Sequence, residues 1–206
     1  MKLRAEGMES SFRFGYGMGV IVGVREQKLR YLVKKAHENG EEVFLANVNS
    51  PNQITVAGKL EHIHNLFAQA RKNGARKAEL LRVSVPSHCR LLHQVSHDLE
   101  LAMRKVSFKQ PSIPYVANTN ARLLRTANAI QKDLACGVAN PVQWHQATTL
   151  LGELGVRLFV EMPPGHILTN LARQDLPFVR SIALEETRLD SVVKVINRER
   201  CEENGS

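Results

Sequence analysis

Between residues 17 and 85 the spacing of hydrophobic positions changes repeatedly, and each change marks a new element. Gly17 to Val24 is a continuous apolar, glycine-punctuated run of strand length. Leu29, Leu32, Val33 and Ala36 then recur three and four apart, the stripe of an amphipathic helix, and Asn39-Gly40 stops it. Val43 to Val48 reads as a second strand, Asn49-Ser50-Pro51-Asn52 as a turn, and Gln53 to Ala57 as a third strand. Leu60, Ile63, Phe67 and Ala70 repeat the helical stripe, which Asn73-Gly74 closes in the same way. A fourth strand runs from Ala78 to Val85. This βαββαβ order predicts a ferredoxin-like, split-βαβ unit, a small sheet with both helices on one face. Its expected central strands are 43–48 and 78–85.

After Pro86 the rhythm lengthens. Leu92, Val95, Leu99, Met103 and Val106 share one helical face, and Ile113 to Asn118 reads as a short strand. Ile130 to Val138 is a helix, and another after Pro141 carries Trp144, Ala147, Leu151 and Leu154. Val156 to Val160 is a strand, Pro163-Pro164-Gly165 opens a helix through Ala172, and Phe178 to Leu184 is the last strand. Glu185 to Asn197 completes the pattern as a terminal helix. The alternation is α/β, yet three strands are few where a sheet averages about 5–6. The expectation is residues 1–16 and 86–206 as part of an α/β subdomain, with 17–85 as an inserted α+β piece. The remaining strands would precede residue 1, leaving sheet edges and apolar helix faces of 89–200 exposed.

Composition narrows the partners. Among 206 residues, 43% are hydrophobic, and no apolar run approaches the roughly 20 residues that cross a bilayer. The start, Met1 to Gly7, has no apolar core of signal-peptide length, so a cytoplasmic location without membrane attachment is expected. Cys89, Cys136 and Cys201 are three unpaired positions, which fits reduced thiols better than a disulfide framework. The net charge of +8 suits a polyanion: nucleic acid, a phosphorylated cofactor such as coenzyme A, or an acidic carrier protein. Base stacking on a ferredoxin-like sheet needs aromatics on the central strands, and 43–48 and 78–85 offer only Phe44. Nucleic acid is therefore not expected as a partner.

The densest chemistry lies in Val83-Ser84-Val85-Pro86-Ser87-His88-Cys89, where a strand gives way to a helix. His88 stands at a junction that can face a cleft, and imidazole is the usual general base near neutral pH. The bland alternative is a histidine that packs against a helix start. Cys89 is its chain neighbour, and catalytic Cys/His pairs meet in space rather than in sequence, so Cys89 reads as structural. His93 and His97 have chelating spacing, but Gln94 stands where a hydrolytic zinc motif needs Glu, and no metal is expected. Glu161-Met162-Pro163-Pro164-Gly165 is a strand-to-helix loop that could turn backbone N–H groups toward an anion.

Taken together, the chain resembles the malonyl-CoA:acyl-carrier-protein transacylase family over roughly residues 1–185. The resemblance rests on Arg4 to Met8, Gly17 to Gly23, Asn47 to Gly58, Ser84 to Cys89, Asn140-Pro141-Val142-Gln143-Trp144 and Pro164 to Thr169. Within it, Glu161 to Gly165 and Ala121-Arg122-Leu123-Leu124 are most similar to the malonyltransferase (epsilon) subunit of malonate decarboxylase, with a fatty-acid-synthesis transacylase as close rival. The resemblance implies an α/β-hydrolase-like domain carrying a ferredoxin-like insert. It implies ping-pong malonyl transfer from malonyl-CoA to an acyl carrier protein through an acyl-serine, with no bound cofactor and the coenzyme A thioester as substrate. By the same resemblance His88 is the base, Gln143 orients it, Arg4 clamps the malonyl carboxylate, and Asn49 lines the cleft. The family's serine sits in a Gly-His-Ser-x-Gly turn before the position of Arg4, and no Gly-x-Ser-x-Gly occurs in these 206 residues. The expectation is a chain that begins after its nucleophile and is inactive alone. A noncatalytic carrier-binding remnant is the alternative.

Overall fold

A computed structural model describes residues 2–12 and 14–204, with side chains through 199; Met1 and the Cys201 side chain lie outside the described residues. The chain divides into two compact units, Met1–Ala147 and Thr148–Ser206.

The first unit opens with α1 (Lys2–Ser11), followed by β1 (Tyr16–Val22), α2 (Glu26–Glu38), β2 (Val43–Ser50), β3 (Gln53–Lys59), α3 (Leu60–Lys72) and β4 (Lys77–Leu80). The strands form one sheet in the order β2-β3-β1-β4, every neighbouring pair antiparallel. Side chains alternate between its faces. Ile21, Val43, Leu45, Ile54 and Val56 pack with Leu29 and Val33 of α2 and Ile63 and Phe67 of α3. Met18, Phe44, Ala46 and Ala57 form the opposite face and meet Cys89 and Leu91. The segment directly after His88 therefore closes the side of the sheet that the helices leave open.

The order corrects the expected centre: β1 and β3 are central, and β2 and β4 are the edges. β2 reads as an interior strand because part of its outer edge is paired. Val48 N–H donates to Val142 O and Val142 N–H to Ala46 O, both at 2.8 Å, so the Asn140–Trp144 stretch adds a parallel bridge there. β2 also runs on to Ser50, leaving Pro51 and Asn52 as the turn.

A 3₁₀ turn (Arg90–Leu92) leads into α4 (His93–Met103), then β5 (Tyr115–Val116), β6 (Leu123–Leu124), α5 (Ala127–Cys136) and α6 (Trp144–Glu153), which spans the division between units. Met8 of α1, Val95 and Leu99 of α4, and Ala135 of α5 share one buried cluster with Leu92 and Val138. Gly7 permits this approach, since a Cβ there would stand 3.2 Å from Val95 Cγ1.

The second unit contains β7 (Leu158–Glu161), α7 (Ile167–Asp175), β8 (Arg180–Ala183) and α8 (Leu189–Asn204), with β7 and β8 parallel. The strand expected at 113–118 does not join this pair; its core, β5, forms a hairpin with β6. α7 starts later than Pro163 because the Glu161 carboxylate accepts the N–H groups of Leu168 (3.1 Å) and Thr169 (2.6 Å), fixing the helix entry there. Met162, Ile167, Phe178 and Leu189 are each at least 67% exposed. Among the described residues no helix is long and apolar enough to cross a membrane.

A close contact between α3 and β1 tests this packing. A Cβ on Gly19 of β1 would lie 2.3 Å from Phe67 Cζ and 3.0 Å from Glu79 O. Gly19→Ala should lower the unfolding free energy by about 1–3 kcal/mol in a urea titration followed by circular dichroism. An unchanged midpoint would mean that α3 does not press on β1.

Candidate active site

His88 lies between buried Ser87 and Cys89 with φ of 57°, a left-handed conformation that a bulky side chain rarely adopts. Such strain persists only where the surroundings impose it, and it concentrates at functional positions. Here the neighbours are held on both sides, and the ring itself is half-buried. Its Nδ1 stands 2.6 Å from the carbonyl oxygen of Gly137. A carbonyl only accepts, so Nδ1 carries the proton and Nε2 keeps its lone pair.

Gly137 is the residue that ends α5. The last carbonyls of a helix have no partner within it, and they lie at the negative end of the helix dipole. That end both fixes the imidazole tautomer and favours the imidazolium that forms when Nε2 takes a proton. The helix is anchored at its start by Thr126, whose Oγ1 accepts from Ala129 N–H at 3.3 Å. At its finish Gly137 N–H donates to Asp133 O at 2.8 Å.

Burial holds the His88 pKa below the ordinary histidine value; the Gly137 bond opposes this and the positive charge of Arg4 adds to it. The ring is therefore a neutral base at neutral pH. Arg4 stands on α1, one turn before Met8, which is buried against α4 and α5. The guanidinium-bearing residue is half-buried, and among the described residues it makes no ion pair. A cation kept partly out of water without a carboxylate is poised for an anionic ligand.

The other expected residues fall differently. Gln143 does not orient His88: the Gly137 carbonyl does, for the physical reason that a helix terminus presents an acceptor with no side chain at all. Gln143 instead donates its backbone N–H to Asn118 O at 2.8 Å, and its buried side-chain Oε1 has no hydrogen-bond partner among the described residues. Asn49 lies half-buried on β2, with Nδ2 3.5 Å from Thr55 Oγ1, just beyond the bridge to Val142. The structure thus joins the Gln143 segment to the Asn49 strand, while Arg4 acts on His88 through its charge. Cys89 is 1% exposed, and burial pushes its thiol up to about 11, which removes it as a nucleophile at neutral pH.

A family model described as "Acyl transferase domain" matches residues 4–196. The chain belongs to this acyltransferase family. The malonyl CoA-acyl carrier protein transacylase of Escherichia coli (strain K12) is 31% identical over 187 residues, covering 90% of this chain and 60% of the relative. The Bacillus subtilis (strain 168) protein of the same name is 28% identical over 187 residues, covering 90% and 59%. Among solved structures, the malonyl-CoA:acyl carrier protein transacylase of Xanthomonas oryzae pv. oryzae superposes with a TM-score of 0.84 at 30% identity, covering 89% of this chain and 58% of that one. A type II PKS acyl-carrier protein in complex with its malonyl-transacylase gives 0.84 at 30%, covering 88% and 59%. The acyltransferase chain described here thus spans about 60% of the length of the curated relatives it matches, and its α/β fold with an α+β insert is theirs.

Removing the guanidinium charge should raise the His88 pKa, because one of the two causes that lower it disappears. Arg4→Gln, followed through the imidazole resonances in a pH titration, should move the midpoint upward, and an unmoved midpoint would place Arg4 away from the ring. Since the folded state binds this proton less readily than the unfolded chain, the stability His88 contributes is complete above the ordinary histidine pKa. It is lost as the pH falls below that value.

Proposed function

We propose that this protein supplies the base and the carboxylate clamp for transfer of malonyl groups from malonyl-CoA to the phosphopantetheine-type thiol of an acyl carrier protein. The observation that carries the reading is the half-buried Arg4, without an ion pair among the described residues, whose charge acts on an imidazole oriented by Gly137. The similarity to malonyl transacylases of acyl carrier proteins supports it.

In this scheme His88 Nε2 takes the proton of a serine hydroxyl as its oxygen attacks the thioester carbonyl. The C–S bond then breaks, and the departing coenzyme A sulfur takes that proton from the imidazolium. In the second half-reaction the carrier thiol gives its proton to Nε2, sulfur attacks the malonyl-serine ester, and the serine oxygen is reprotonated. Arg4 pairs with the free malonyl carboxylate through both guanidinium edges, so an acetyl group leaves it unsatisfied. Asn49 lines the cleft. The described residues supply the base and the clamp; a serine in a Gly-x-Ser-x-Gly turn is not among the 206. No cofactor is assigned beyond the coenzyme A thioester as substrate. Nucleic acid is not proposed as a partner, because central β1 and β3 carry only Tyr16 as an aromatic. A cytoplasmic setting without membrane attachment completes the proposal. The Ala121–Leu124 and Glu161–Gly165 stretches favour the carrier of malonate decarboxylase over that of fatty acid synthesis.

A noncatalytic, carrier-binding role is the second reading, favoured by the absence of the serine turn from these residues. It predicts carrier-protein binding with no preference between malonyl- and acetyl-CoA.

Calorimetric titration separates the two. The proposal expects malonyl-CoA to bind more tightly than acetyl-CoA, and Arg4→Ala to abolish the difference. A charge-assisted pair is worth about 1.5–3 kcal/mol, roughly 10- to 150-fold. Equal affinities in the unmodified protein would contradict the clamp. With radiolabelled malonyl-CoA and carrier protein, the 206-residue chain alone should transfer no label; transfer would place the nucleophile within it.

A further inference from the structure

Asp133 is 6% exposed on α5, and among the described residues it makes no ion pair. Its charge is met by hydrogen bonds alone. Oδ2 accepts from the Tyr115 hydroxyl at 2.9 Å and Asn118 N–H at 3.0 Å. Oδ1 accepts from Thr119 N–H at 3.2 Å and the Thr119 hydroxyl at 2.7 Å. A buried carboxylate with four donors is fully satisfied and rigid.

Two connections leave this cluster. Along the helix, the Asp133 carbonyl accepts Gly137 N–H, one turn before the carbonyl that holds His88 Nδ1. Through the loop, Asn118 O accepts Gln143 N–H, and Val142 beside it is bridged to β2, the strand carrying Asn49. One side chain thus ties the end of α5 to the loop that holds the β2 edge.

We infer that Asp133 is a positioning residue: it fixes the α5 terminus that orients His88 and, through Asn118 and Val142, the strand bearing Asn49. The inference rests on the proposed role of His88 as base. An amide cannot replace the carboxylate, because its NH₂ group would face donors and at least one backbone N–H would lose its acceptor.

The test reads the ring rather than turnover. In nitrogen NMR spectra of the full chain, Asp133→Asn should convert His88 from the Nδ1–H tautomer to a mixture containing Nε2–H. It should also speed amide exchange at Asn118, Thr119 and Gly137. A folded Asp133→Asn with the unmodified His88 tautomer would overturn the inference. Should that variant not fold, Thr119→Val removes a single hydroxyl donor and should shift the tautomer the same way, less far; an unmoved ring there overturns it equally. Ile63→Val, in the core between α3 and the sheet, weakens the fold without touching this cluster. It should leave the tautomer alone, and an equal shift would reduce the effect to general destabilisation, contradicting a specific role. Failure of the malonyl preference would remove the transfer proposal without altering these spectra, so the two can fail separately.

Discussion

The site depends on a single hydrogen bond between a side chain and a helix end, Nδ1 of His88 to the carbonyl of Gly137. An imidazole with both nitrogens free spends its time between tautomers and orientations, and a base must hold one of each. Most enzymes assign that duty to a carboxylate. A terminal helix carbonyl does it with a partial charge that needs no counterion and does not titrate. The neutral orienter matters because Arg4 already brings a full positive charge near the ring. Burial and that charge keep the imidazole unprotonated and ready, while the carbonyl limits how far its basicity falls.

The surrounding fold brings these groups together by packing. α1 delivers Arg4 because Gly7 and Met8 let it lie on α4, and α5 delivers Gly137 because Ala135 and Val138 share that core. The residue after His88 is sealed under Phe44 and Ala46 of β2. The ferredoxin-like sheet and the helical layer therefore meet at Cys89, which explains how a strained His88 backbone is held. In the second unit Phe178 and Ile167 are largely exposed.

Much of this was legible in the sequence where side chains carry the information. The two helical stripes of 29–36 and 60–70, each closed by Asn-Gly, and the strand-length apolar runs between them specify the sheet and its helical face. The sheet order departs from the sequence pattern at both edges, β2 and β4. The apolar run of β2 looks interior, and only a distant bridge to Val142 makes it a shielded edge. Arg4 and His88 are singled out by motif resemblance, and the charge of Arg4 lowers the His88 pKa. The orienter was assigned to Gln143, a polar side chain in a matching motif, whereas the acceptor is the backbone of a glycine six residues earlier. Main-chain groups leave no trace in residue identity, so Gly137 had no signal to find. Asp133 was missed for a related reason. One acidic residue in a predicted helix looks like solvated surface until the loop that donates to it is folded over it.

The most direct measurement of the central claim is which His88 nitrogen carries the proton in the unmodified chain. Nitrogen NMR at a pH well above the ring's titration reads this without substrate or turnover. A protonated Nδ1 and a lone pair on Nε2 is the result this account predicts. A proton on Nε2 would mean that Gly137 does not hold the ring, and the base assigned to the site would lack the free nitrogen it needs.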